Sequence, residues 1–173
     1  MYECPTNPPE RNSTGTEVPY NEFYQVELFR DLAFDIVNKY KGNNPCPNFK
    51  LIIYWIKNHI RYMTDMKQFG VVDYWLFPNE TILTGAEDCD GMSFLLATML
   101  EALGYATRVA MGRTPWGYHM WVEFEDDQGS ELIVEATMGI IYPYAEGVAR
   151  GYAADIYINP NGCYVPMVDV ESY

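Results

Sequence analysis

Apolar residues recur with helical spacing at Val26, Phe29, Ala33, Ile36, Val37 and Tyr40, and Gly42 ends the run as a C-terminal cap would. This predicts a first helix over residues 21–42. After Asn44-Pro-Cys-Pro, Asn48 is placed to cap a second helix whose stripe is Phe49, Ile52, Ile53, Ile56, Ile60 and Met63. His59 lies beside that stripe and reads as a half-buried packing histidine, because catalytic groups favour loops and element ends. Residues 64–88 show little periodicity and are long for a plain connection. They are read as a loop whose Tyr74, Trp75 and Phe77 either wall a cleft or pack beneath it. A third helix is expected over 89–103, with Met92, Leu95, Leu96, Met99 and Leu103 on one face and Gly104 as its stop.

Beyond Gly104 the pattern turns from helical to alternating. Residues 105–111 read as a strand and 112–117 as a turn-rich loop, the place where specificity would be tuned. Residues 119–125 and 131–136 read as a hairpin with its tip near Asp126-Asp-Gln-Gly, and further short strands are expected at 152–158 and 164–168. Helices first and sheet afterwards, without βαβ alternation, mean an α+β fold with a mainly antiparallel sheet. The Pro-rich residues 1–19 cannot pack a core and read as an extended arm, leaving residues 20–173 as a single domain.

Charge narrows the partners. A formal charge of −13, with only 11 scattered basic residues, argues against nucleic acid and is best explained by solvation. No apolar run is long enough to span a bilayer. Cys4, Cys46, Cys89 and Cys163 show no C-x-x-C spacing and only two histidines accompany them, so no metal or cofactor is expected. Calcium at Glu87, Asp88 and Asp90 is conceivable but lacks a dedicated loop spacing, and helix-start capping is preferred for these residues. Sequons at Asn12 and Asn79 lean toward an extracellular or cell-surface chain, the alternative being cytoplasmic. In an oxidising compartment Cys4 and Cys46 could staple the arm to the helix connection. A monomer is expected.

The hairpin carries the chemistry. A register with His119 opposite Glu135, Trp121 opposite Ile133 and Glu123 opposite Glu131 puts Met120, Val122, Phe124, Leu132, Val134 and Ala136 on one apolar face. It leaves His119 and Glu135 adjacent on the other, within reach of an imidazole–carboxylate hydrogen bond. Such a carboxylate fixes the tautomer of a histidine that serves a cysteine nucleophile. Cys89 fits as that nucleophile because N–H groups at a helix start stabilise a thiolate and can donate to an oxyanion. Against this, Glu87, Asp88 and Asp90 crowd the thiol with negative charge and raise its pKa.

These residues carry a resemblance. Trp75-Leu-Phe-Pro-Asn-Glu-Thr-Ile-Leu83, Glu87-Asp-Cys-Asp-Gly91, the run from Leu95 to Tyr105, His119-Met-Trp-Val-Glu123 and Leu132-Ile-Val-Glu-Ala-Thr137 together resemble the transglutaminase-like cysteine peptidase superfamily, over roughly residues 52–139. The resemblance implies a papain-like core in which Cys89 is the nucleophile, His119 the base and Glu135 the acid, a glutamate where aspartate is usual. It also suggests Trp75 as an oxyanion-hole aromatic; apart from the resemblance, Tyr74, Trp116 and Tyr118 are read as cleft candidates. The implied activity is hydrolysis of peptide or amide bonds in a peptide or protein, cell-wall peptide included, through an acyl-enzyme. The alternatives are acyl transfer by the same triad and a non-catalytic module holding a peptide or glycan.

Overall fold

The structure is a computed structural model and describes residues 18–43 and 45–166. After a 3-10 turn at Tyr20–Phe23, the elements in chain order are α1 (Val26–Lys41), α2 (Asn48–His59), β1 (Arg61–Tyr62), α3 (Asp65–Gln68), α4 (Pro78–Thr84), β2 (Ala86–Glu87) and α5 (Cys89–Ala102). The sheet half follows, with β3 (Thr107–Thr114), β4 (Gly117–Glu125), β5 (Glu131–Glu135), β6 (Ile140–Pro143), α6 (Tyr144–Ala149), β7 (Ala153–Asn159) and β8 (Gly162–Tyr164). Six strands form one antiparallel sheet in the order β6-β5-β4-β3-β7-β8, while β1 and β2 make a separate parallel pair. The fold is the expected α+β class.

The core lies between the helices and one sheet face, where Phe29, Ile52, Ile56, Leu96 and Met99 meet Val109, Val122, Phe124 and Val134. α5 runs through its centre and is buried on nearly every side, Ser93, Phe94, Ala97 and Thr98 included, rather than on one apolar face. A helix with no solvated side has no amphipathic stripe to read. Leu103 and Met63 are half-buried, and Tyr40 is at the surface. His59 is exposed rather than half-buried, stacked on Trp55 with ring centroids 4.3 Å apart. Asn48 opens α2 without capping it, its carbonyl oxygen accepting from Lys41 Nζ at 3.1 Å.

Residues 64–88 depart most from expectation. The supposed loop holds α3, α4 and β2, elements too short for a period to show. The Asn79 sequon lies in the first turn of α4 and its Thr81 is fully buried, so it is not a surface-loop acceptor. Cys46 carries a thiol, which removes the Cys4 to Cys46 staple as an expectation, and Cys163 is disulfide-bonded. Cys4, Asn12, residues 167–168 and the arm apart from Val18 and Pro19 lie outside the described residues.

In the sheet, β3 and β4 run on through the expected 112–117 loop and leave a two-residue turn at Pro115-Trp116. The β4–β5 register is displaced by two residues: Glu123 pairs with Ile133, Val122 with Val134 and Glu125 with Glu131. The hairpin tip explains the displacement. Asp126 Oδ1 accepts from the N–H groups of Gln128 and Ser130, both at 2.9 Å, which closes the turn with Asp126 across from Ser130. A shift of two keeps every side chain on its face, so the apolar face is the expected one. β6 and α6 have no counterpart in the sequence pattern. α6 covers Ile133 on the far sheet face through Gly147, where a Cβ would lie 2.4 Å from Ile133 Cδ1.

Candidate active site

Cys89 is the first residue of α5 and is half-buried. Asp88 caps that helix, its carboxylate accepting from Asp90 N–H at 3.2 Å. The first turn is pressed against β2, since a Cβ on Gly91 would lie 2.1 Å from Glu87 Cγ. From the facing strand β4, Met120 lines the same hollow as Cys89. Burial pushes the Cys89 thiol well up, Asp88 and Asp90 add to that, and the Met120 backbone works against it.

His119 precedes Met120 on β4 and points to the opposite sheet face from it. Its Nε2 lies 2.7 Å from Glu135 Oε2. The two residues meet diagonally rather than face to face, because the displaced register puts Glu135 across from Trp121. Glu135, the last residue of β5, is buried and its carboxylate is fully engaged. Oε2 also accepts from Tyr152 O–H at 3.1 Å, and Oε1 accepts from Thr137 Oγ1 at 2.8 Å and Thr137 N–H at 3.3 Å. Burial raises the Glu135 pKa, but the hydrogen bonds and charge from His119 and the bonds from Thr137 outweigh it, holding the group below the usual carboxylate range. With Nε2 on the carboxylate, Nδ1 is the ring nitrogen left for a thiol.

Two adjoining hollows share Asp88, Cys89, Tyr118 and His119. One, of about 410 Å³, continues along Tyr62, Trp116, Thr137 and Met138; the other, of about 400 Å³, continues along Val72, Asp73, Trp75 and Met111. Among the described residues neither is lined by Lys or Arg. Of the cleft candidates, Trp116 and Tyr118 are 70% and 60% exposed and form rims. Trp75 is a buried wall, packed tilted or edge-on among Tyr20, Phe23 and Phe94, and its indole N–H donates to Asp73 at 3.1 Å. Tyr74 lines neither hollow; its ring lies on Phe69.

A second carboxylate group sits behind Cys89. One oxygen each from Asp65, Asp88 and Asp90 lie within 4.8 Å of one another. Asp65 Oδ1, Asp90 Oδ1 and both Glu87 oxygens are buried and have no hydrogen-bond partner among the described residues. Burial, with repulsion from Asp88, raises Asp65 to about 7. Burial, with repulsion from Asp65 and Asp88, raises Glu87 to about 8, and Asp90 is pushed well above its ordinary value by burial, Asp88 and Glu87. All-oxygen donors with unspent lone pairs fit a hard divalent cation. Asp65 was not among the candidates, because nothing in residues 64–88 marks it as a neighbour of Asp88.

The transglutaminase-like superfamily model matches residues 30–134. A search of curated proteins gave no match. Among solved structures, EGTA-treated LapG of Legionella pneumophila is similar at 20% identity and TM-score 0.59, over 82% of this chain and 86% of that one. Its calcium-bound form matches at 19% identity and TM-score 0.53, over 80% and 88%. A candidate cysteine protease from Cytophaga hutchinsonii matches at 20% identity and TM-score 0.55, over 75% of this chain and 43% of that one. At these identities the likeness is one of fold.

Proposed function

Because the chain belongs to the transglutaminase-like superfamily, we propose that it is a cysteine-dependent hydrolase cleaving peptide or amide bonds through Cys89, His119 and Glu135. The observation that carries this is the 2.7 Å contact between His119 and a buried, fully hydrogen-bonded Glu135, on a cleft shared with a helix-start cysteine.

Glu135 keeps the proton on Nε2, so Nδ1 accepts the proton of Cys89. This transfer is needed, because burial and the neighbouring aspartates keep an isolated Cys89 thiol protonated at neutral pH. The thiolate attacks the carbonyl carbon, and backbone N–H groups at the start of α5 donate to the oxyanion. Imidazolium Nδ1–H then protonates the leaving nitrogen as the C–N bond breaks. Water, deprotonated by His119, attacks the acyl-enzyme and expels the Cys89 thiolate. The Trp75 ring serves as a wall, its N–H being donated to Asp73.

The test is digestion of an unfolded polypeptide with and without a primary amine, read by mass spectrometry against Cys89→Ala. New chain termini that vanish in Cys89→Ala are expected. Incorporated amine would move the reading to acyl transfer, and retained peptide binding with neither product would make the chain a binding module.

We propose in addition that Asp65, Asp88 and Asp90 would hold a divalent cation, a reading supported by their convergence and their unpartnered oxygens among the described residues. Neutralising these carboxylates would relieve the repulsion that keeps the thiol protonated, so chelation should slow the reaction. The Legionella relative is known in calcium-bound and EGTA-treated forms. A calcium titration that leaves both thermal stability and thiol reactivity unchanged would remove this addition.

A further inference from the structure

We infer that Tyr152 is a positioning residue for the His119–Glu135 pair, its hydroxyl fixing the carboxylate that orients the imidazole. This rests on the catalytic reading of Cys89 and His119 above.

Glu135 ends β5, where the chain leaves the sheet, and a glutamate side chain has one more torsion to restrain than an aspartate. Thr137 holds Oε1 through two hydrogen bonds from its own loop. Oε2 would then be set by His119 alone, the group it is meant to orient, were it not for Tyr152 O–H at 3.1 Å. The hydroxyl arrives from a separate part of the fold. Tyr152 precedes β7, its N–H donates to Gly147 O at 3.2 Å, and its ring stands edge-on to Trp121 at 5.1 Å. Tyr152 is itself buried, so the phenol needs an acceptor there, and phenylalanine would fill the same apolar space without one. Its ring also lies 6.2 Å from that of Trp116, which lines the cleft. Other polar groups near the pair include Cys89 from α5, Asp88 that caps it, Tyr62 from β1, Tyr118 from β4, Tyr142 from β6 and Arg150 after α6. None of these has a hydrogen bond to Glu135 among the described residues.

The test is Tyr152→Phe, with two readouts. In the parent, the His119 Nε2–H proton should give a downfield NMR resonance, absent in His119→Ala. In Tyr152→Phe we expect that resonance to broaden into the water signal and Cys89 alkylation at pH 7 to slow about tenfold, the low end of what a hydrogen bond to a charged group is worth. In a Glu135→Asp background, where the shorter acid cannot reach the phenol, Tyr152→Phe should cost nothing further. An unchanged resonance overturns the inference, even if the rate falls, because the effect would then be merely structural. An equal cost of Tyr152→Phe in both backgrounds overturns it too, and this comparison remains readable if one variant is less stable. If the parent's alkylation does not depend on His119, the catalytic reading fails while the resonance still reports on Tyr152.

Discussion

Cys89 stands between two sets of carboxylates that fold treats in opposite ways. On one side Glu135 is buried but receives four hydrogen bonds, and its pKa is held below the usual range. On the other, Asp65, Glu87 and Asp90 are equally buried, keep oxygens with no donor among the described residues, and are raised. Burial alone therefore does not decide the charge of an acid; the supply of donors does. The served carboxylate is suited to holding a histidine. The unserved ones are suited to taking up a proton or a cation, and their electrostatic effect reaches the same thiol.

The largest effect expected from breaking this contrast is on the served side. Glu135→Gln keeps the shape but removes the charge, so His119 loses both its fixed tautomer and the partner of its imidazolium form. Turnover of an unfolded polypeptide should fall by about 100-fold or more, within the range that general acid–base catalysis contributes. A variant within threefold of the parent would show that the pair is structural.

The unserved side should show itself in stability rather than turnover. With a chelator present, Asp65 and Glu87 hold their protons in the folded chain up to about pH 7 and 8. The unfolded chain releases them near pH 4. The folded state thus binds more protons in that window, and the stability they contribute, fully present below about pH 4, is lost as pH rises through 7 to 8. Thermal midpoints measured from pH 5 to 8.5 should decline, and Asp65→Asn should flatten the decline. Glu135 runs the other way: its contribution is present above about pH 4 and lost as pH falls through its lowered folded value. A flat alkaline profile in the parent would contradict the assignment of protons to Asp65 and Glu87.

How much of this contrast the sequence carries follows from chain distance. Glu135 and His119 belong to one hairpin, so alternation alone puts them on one face; the displaced register leaves that parity intact and changes only a facing pair into a diagonal one. The displacement itself depends on Asp126 capping the tip, a local hydrogen bond that no hydrophobic pattern records. Cys89 at a helix start is legible from Gly104 and the apolar run before it. Asp65 is not, because α3 has four residues and reaches Asp88 through tertiary packing. Tyr152 is hidden for the same reason: β7 pairs with β3 across the sheet and not with β6, the strand that precedes it, and α6, which leads into it, is six residues long.

The smallest expected effect is at the rim. Trp116 is mostly exposed on the rim of the hollow, so Trp116→Ala should raise KM several-fold and leave kcat within about twofold, as loss of uniform binding does. A fall in kcat alone would move Trp116 from the rim into the machinery around His119.

The central claim is that His119 draws the proton from a thiol that its surroundings would otherwise keep protonated. Iodoacetamide alkylation of Cys89 at neutral pH, followed residue by residue by mass spectrometry in the parent and in His119→Ala, tests it most directly. The account predicts fast modification of Cys89 in the parent, with Cys46 slower, and a drop of about 100-fold or more in His119→Ala. Equal, slow modification of Cys89 in both proteins would contradict it.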